Sequence, residues 1–170
     1  MYGLSHSDAL SLYGIFTGMA LPCILFPSTV TSSASAILMP SVAEMQALGY
    51  RKRIHHITDR TCAACIFFGF LCTLIFYFSG PCAGAILFHS TGAGLYIRTL
   101  SFICPFLYTN IALSSILNGL GKTGITLIHS ILGILLRISF VLFAIPSIGM
   151  RGYLYGLLLS EITLSILHIY

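Results

Sequence analysis

The chain has 170 residues, 57% of them hydrophobic and 7% charged, with a mean hydropathy of +0.98 and a formal net charge of +4. A soluble domain carries about a quarter of its residues as charges, so composition excludes an ordinary water-soluble fold. It points to an all-α, polytopic bundle of about five spans, a single transmembrane domain over residues 1–170 with the lipid bilayer as its surroundings. The basic residues are clustered, which reports topology rather than a nucleic-acid surface, and no nucleic-acid partner is expected. Residues 1–10 are polar and mixed, without the basic start and apolar core of a cleavable leader, so insertion is expected to rely on the spans themselves.

Residues 12–48 come first and are the most informative stretch. They are apolar for longer than the roughly 20 residues that one span needs, and they are interrupted by Pro22, Pro27 and Pro40. Proline lacks the backbone donor of its turn and clashes with the carbonyl four residues earlier. These three are therefore the expected hinge points of a bent helix. Its centre, residues 28–35 (STVTSSAS), holds six hydroxyl side chains, among them Ser28, Thr31 and Ser32. In a bilayer, hydroxyls and freed backbone groups need protein or water around them, so this helix is expected to line a pathway, as interrupted polar helices of transporters do. A bent helix packed through small residues such as Gly14 and Gly18 is the plainer alternative.

Residues 49–61 hold Arg51, Lys52, Arg53 and Arg60, half of the eight Lys and Arg in the chain. Basic loops lie on the cytoplasmic side. Tyr50, Ile54 and Ile57 recur at helical spacing, so this segment is expected either as a short helix along the headgroups or as a basic patch that recruits substrate. Glu44, just before it, is a pathway candidate or simply a partner for these cations. The second span covers 62–79. Residues 80–94, uncharged and containing Gly80-Pro81, are expected as an outer loop with a partly buried segment around 86–89. The third span, 95–118, carries Arg98, Pro105 and the face formed by Asn110, Ser114 and Asn118 at spacing four. Residues 119–124 (GLGKTG) read as a tight turn between helices.

The fourth span, 125–145, has Arg137 about 18–20 Å from its cytoplasmic end, on one stripe with Thr126, Ser130 and Gly133. An intramembrane charge costs at least about 2.5–3.5 kcal/mol and marks function by default, whereas snorkelling to the outer headgroups is the structural alternative. The fifth span, 153–170, carries Glu161 about 12 Å in, with Ser165 and His168 on the same face. Glu161 and Arg137 are the natural buried pair, since either charge alone would be costly. The six cysteines, including the pair Cys62 and Cys65, read as small apolar side chains, and no metal site or cofactor is expected. No catalytic constellation emerges, so the chain is not expected to be an enzyme. It stops at Tyr170 inside an apolar run, which with an odd number of spans leads us to expect a longer protein.

Seven segments carry a family resemblance: SLYG at 11–14, TGMALP at 17–22, FPS at 26–28, MPSVAE at 39–44, CPFLY at 104–108, SSILNGLGKT at 114–123 and RGYLYGLLLSE at 151–161. Together they resemble the stage V sporulation protein B family, polysaccharide exporters of the multidrug/oligosaccharidyl-lipid/polysaccharide flippase superfamily. The resemblance implies a bundle of two pseudo-symmetric halves, of which this chain is much of the second. It implies a multi-pass protein of the bacterial plasma membrane that moves a lipid-linked oligosaccharide or peptidoglycan precursor for the spore cortex, with the first half as a missing partner. For such an anionic headgroup Arg137 is the expected cation and Arg98 the reserve. Asn110, Asn118 and the hydroxyls of residues 28–35 are expected to bind sugar groups, and Glu161 or Glu44 to partner the arginine or take up a coupling ion. A cation-coupled multidrug efflux protein of the same superfamily, and a non-transporting degenerate fragment or assembly partner, are the alternatives.

Overall fold

With no water in a bilayer to satisfy its backbone, an apolar chain without a closed barrel folds as helices. The computed structural model, which describes residues 6–88, 91–144 and 149–169, is built of helices and short turns. The first bent arm runs through α1 (His6–Ile15), a π-turn (Phe16–Ala20) and α2 (Leu21–Leu25), and α3 (Ser28–Ala47) continues it. The π-turn, in which Leu21 N–H bonds the Phe16 carbonyl, comes just before Pro22. Widening the helix there relieves the clash that the proline ring would make with the preceding turn. At Phe26 and Pro27 the axis bends by 51°. The carbonyls of the last turn of α2 have no regular partner across this break, and side chains take their place: Ser28 Oγ donates to the Leu25 carbonyl at 2.6 Å and Tyr108 Oη to that of Ile24 at 3.2 Å. Pro40 leaves α3 unbroken.

Next comes α4 (Arg51–Phe88), 38 residues without interruption. The basic segment is thus not a separate surface helix but the opening turns of a span. At about 57 Å the helix is far longer than the hydrocarbon layer of about 30 Å, so its charged turns extend beyond the apolar zone. Nor is the expected outer loop at 80–94 a loop over its first half, because α4 continues through Pro81. Gly80 and Gly94 lie so close that a Cβ on Gly94 would sit 2.9 Å from the Gly80 carbonyl oxygen, and this crossing of α4 with α5 (Thr91–Leu100) supports both helices.

A 3₁₀ turn (Ser101–Ile103) joins α5 to α6 (Cys104–Gly119), with Pro105 in the first turn of α6, where its missing N–H is tolerated. A tight turn at Gly121, whose φ is +70°, leads to α7 (Thr123–Phe143), and α8 (Met150–Ile169) packs back along α7. The Pro146 turn, His89 and the ends at Met1 and Tyr170 fall outside the described residues.

Among the described residues three helices are long and apolar enough to cross a membrane, Arg51–Ile86, Gly92–Gly119 and Thr123–Phe143, and the bent pair Tyr13–Leu25 with Ser28–Ala47 makes a fourth. The expected fifth span falls on α8, which carries Glu161 and His168. Helix α6 is the centre of the bundle, in contact with α3, α4, α7 and α8. Its Cys104, Tyr108 and Ala112 are fully buried among Phe16, Ile24, Ile97 and Leu100. By contrast α7 exposes Leu127, Ile134, Leu142 and Phe143, a surface suited to acyl chains.

Candidate functional site

Helices α3, α6, α7 and α8 line an open cavity of about 460 Å³ bordered by several polar side chains. Ser32 and Ser35 come from α3, Asn110, Ser114, Ser115 and Asn118 from α6, Ser130 from α7, and Glu161 and His168 from α8. Helical spacing explains the convergence: residues three and four apart share a face, and each contributing helix turns its polar face inward. On α3 the hydroxyls divide by that rule. Ser28, Thr31 and Ser35 are buried, Ser32 is exposed and with Ser35 lines the cavity, and Ser33 is exposed away from it and donates back to the Thr29 carbonyl of its own helix. Two features hold α3 against α6: Ser115 Oγ donates to the Ser35 carbonyl at 2.6 Å, and Gly119 packs directly under Met39.

The floor is a charged network. Arg137 reaches across from α7 to pair with Glu161 through Nη2 and Oε1, and donates from Nε to Ser160 Oγ at 2.9 Å. Ser160 in turn donates to the Leu157 carbonyl. From α6, Asn110 Nδ2 donates to Glu161 Oε2 at 2.7 Å and to the Glu161 carbonyl at 2.9 Å. Each oxygen of a carboxylate only 5% exposed therefore has its own donor, which is what a buried charge requires. The arginine side chain keeps 37% exposure. Its stem is thus partly exposed while its head is engaged by Glu161 and Ser160. Gly133, about one turn before Arg137 on the same stripe, is buried against Leu164 and brings α7 and α8 close enough for the pair to form.

Among the expected site residues, the structure brings Ser32, Asn110, Asn118 and Glu161 to one cavity, with Arg137 linked to it through Glu161 rather than lining it. Ser28 and Thr31 are buried in the α3 packing, and neither lines the cavity. Glu44 is exposed near the end of α3 and makes no ion pair with the neighbouring cations. Arg98 lies elsewhere, its guanidinium 4.2 Å from the centre of the Tyr77 ring and donating to Tyr77 Oη at 2.6 Å. Of the three expected hinges, Pro27 sits at the bend, Pro22 beside the π-turn and Pro40 within an intact helix.

Two residues escaped the sequence reading. Ser115 accompanies Ser114 on α6, and His129 stacks edge-on against His168 with ring centres 4.8 Å apart. His168 also approaches Ser114 Oγ through Nε2 at 3.4 Å. A signal for His129 existed, since it falls between Thr126 and Ser130 on the polar side of α7.

With its carboxylate and guanidinium committed to each other, the cavity offers mainly neutral donors and acceptors: hydroxyls, carboxamides and imidazole. Such a wall suits a polyhydroxylated group. No family model matches this chain, and no solved structure matches it. Two curated proteins of Bacillus subtilis (strain 168) do: stage V sporulation protein B, 23% identical over 168 residues covering 98% of this chain and 32% of that protein, and sporulation protein YkvU, 24% identical over 169 residues covering 98% of this chain and 38% of that protein. The chain spans about a third of the length of the curated relatives it matches. The similarity to both sporulation proteins runs along almost all of this helical membrane chain.

Proposed function

We propose that the chain forms part of a flippase that moves a lipid-linked saccharide, a peptidoglycan precursor for the spore cortex, across the bacterial plasma membrane. The observation that carries this reading is the open cavity on an apolar bundle where hydroxyl and carboxamide groups from three helices border one space. Sugar rings present the complementary donors and acceptors, and the polyprenyl tail has the exposed apolar faces of α4 and α7 to follow. The remaining two thirds of the relatives' length would supply the other walls. The bend at Pro27, which joins the cavity-lining α3 to the arm before it, is the hinge about which access alternates.

The test uses the protein as encoded in full, reconstituted in vesicles with a fluorescent lipid-linked saccharide whose exposure on each leaflet is read by quenching. Ser32→Leu combined with Asn118→Leu is expected to slow movement by about tenfold or more, because the wall groups lose their hydrogen bonds to sugar. Ser33→Leu, on the same helix but off the cavity, is expected to leave the rate unchanged. Equal rates in all three proteins would remove the cavity from the transport path.

A further inference from the structure

Away from the cavity, the densest charge on the molecule gathers where two helix-to-helix turns meet. The turn from α3 to α4 and the turn from α6 to α7 are closed alike. Gly49 has φ +76° and Tyr50 N–H bonds the Met45 carbonyl at 2.9 Å; Gly121 has φ +70° and Lys122 N–H bonds the Leu117 carbonyl at 2.9 Å. Both are six-to-one closures that demand a left-handed residue, hence glycine. They set Arg51, His55 and Lys122 around a single crevice of about 640 Å³.

Three observations bear on what the crevice holds. First, among the described residues the only ion pair is Arg137 with Glu161, so Arg51, Lys52, Arg53 and Lys122 have no carboxylate partner even though α3 ends with Glu44 in its last turn and α4 carries Asp59. Second, the lining includes Ile54 and Leu120, whose other sides pack on Val42, Met45 and Ile116. Third, Leu48 and Tyr50 stand exposed beside it, at 59% and 52%. Cations at a rim over an apolar floor match a molecule with an anionic head and an apolar body. A cytoplasmic excess of Lys and Arg explains how many charges this face carries; it does not explain why two separate turns aim theirs at one crevice.

We propose that this crevice binds the phosphate headgroup of an amphiphile, with Arg51 as a forked donor, Lys122 as a point charge and the apolar part along Ile54 and Leu120. The proposal stands apart from the transport reading and survives if that reading fails. Its ligand chemistry has two sources, an anionic glycerophospholipid of the surrounding membrane or the pyrophosphate of a prenyl-linked saccharide.

Native mass spectrometry of the full protein, released from detergent after equilibration with phosphatidylglycerol or phosphatidylcholine, tests it. Phosphatidylglycerol is expected to be retained over phosphatidylcholine. Arg51→Gln and Lys122→Gln are each expected to weaken retention about fivefold, the usual effect of one charge at a lipid surface. Arg60→Gln, farther along α4 and outside the crevice, is expected to leave it unchanged. Displacement of the phospholipid by a long-chain prenyl pyrophosphate supports the site with the substrate as its source, and resistance supports it with bulk lipid as its source. Equal losses in all three variants, or none in Lys122→Gln, would overturn the proposal, since the charge would then act diffusely. All three positions are exposed, and an unchanged melting temperature confirms that each variant is folded.

Discussion

Arg137 and the pair Arg51 and Lys122 carry the same charge in opposite settings. Arg137 lies between two membrane helices with Glu161, Ser160 and, through the carboxylate, Asn110 around it. Arg51 and Lys122 are exposed, at the start of α4 and in the turn before α7, and neither forms an ion pair. The cation between the helices is already paired with a buried carboxylate, and the network fastens α7 to α8 and, through Asn110, α8 to α6. The surface cations are unsatisfied by the protein and therefore stay free to bind.

The sharpest way to break this comparison is to remove one buried partner. Arg137→Ala leaves Glu161 enclosed without its cation, and thermal unfolding in detergent is expected to show a loss of about 2–3 kcal/mol. That is below the 3–5 kcal/mol of a fully dry pair, because the arginine is partly exposed and the carboxylate can take up a proton. Arg137→Met with Glu161→Leu is expected to recover most of that loss; a double variant no more stable than the single one would show that the pair is not what holds these helices. A transport defect in Arg137→Ala consequently reports on folding as well as on substrate.

A somewhat smaller effect is expected from Gly119→Val. A Cβ there would meet the Met39 carbonyl oxygen at 2.5 Å, forcing α6 from α3 at about 1–3 kcal/mol and opening the Ser115 hydrogen bond, again read by thermal unfolding. The smallest effect belongs to Arg51→Gln with Lys122→Gln, expected within about 0.5 kcal/mol of the parent. A marked stability loss in that variant would erase the contrast between cations that hold the fold and cations left free.

Much of this was legible before any coordinates. A bend somewhere among Pro22, Pro27 and Pro40, the polar face of Asn110, Ser114 and Asn118, and the stripe from Thr126 to Arg137 all follow from spacing and side-chain chemistry; the structure places the bend at Pro27 alone. What misled was the reading of Gly80-Pro81 as loop. Proline weakens a helix only by a local amount, and in this bundle the close crossing of Gly80 with Gly94 keeps α4 intact through it. The basic segment was misjudged for a related reason: charge marks where a helix leaves the apolar layer, not where it ends. Arg98 could not be assigned from sequence because its partner, Tyr77, lies one span away.

Sequence by itself determined that this chain is a set of membrane helices, that the first of them is interrupted, and which faces are polar, because hydropathy and helical periodicity are local properties. Only the tertiary structure decided that four polar faces share one cavity, that Arg137 is committed to Glu161, and that two distant turns join their cations at one crevice. Those outcomes depend on how helices pack. Packing is set by contacts such as Gly119 under Met39 and Gly133 against Leu164, which no single segment contains.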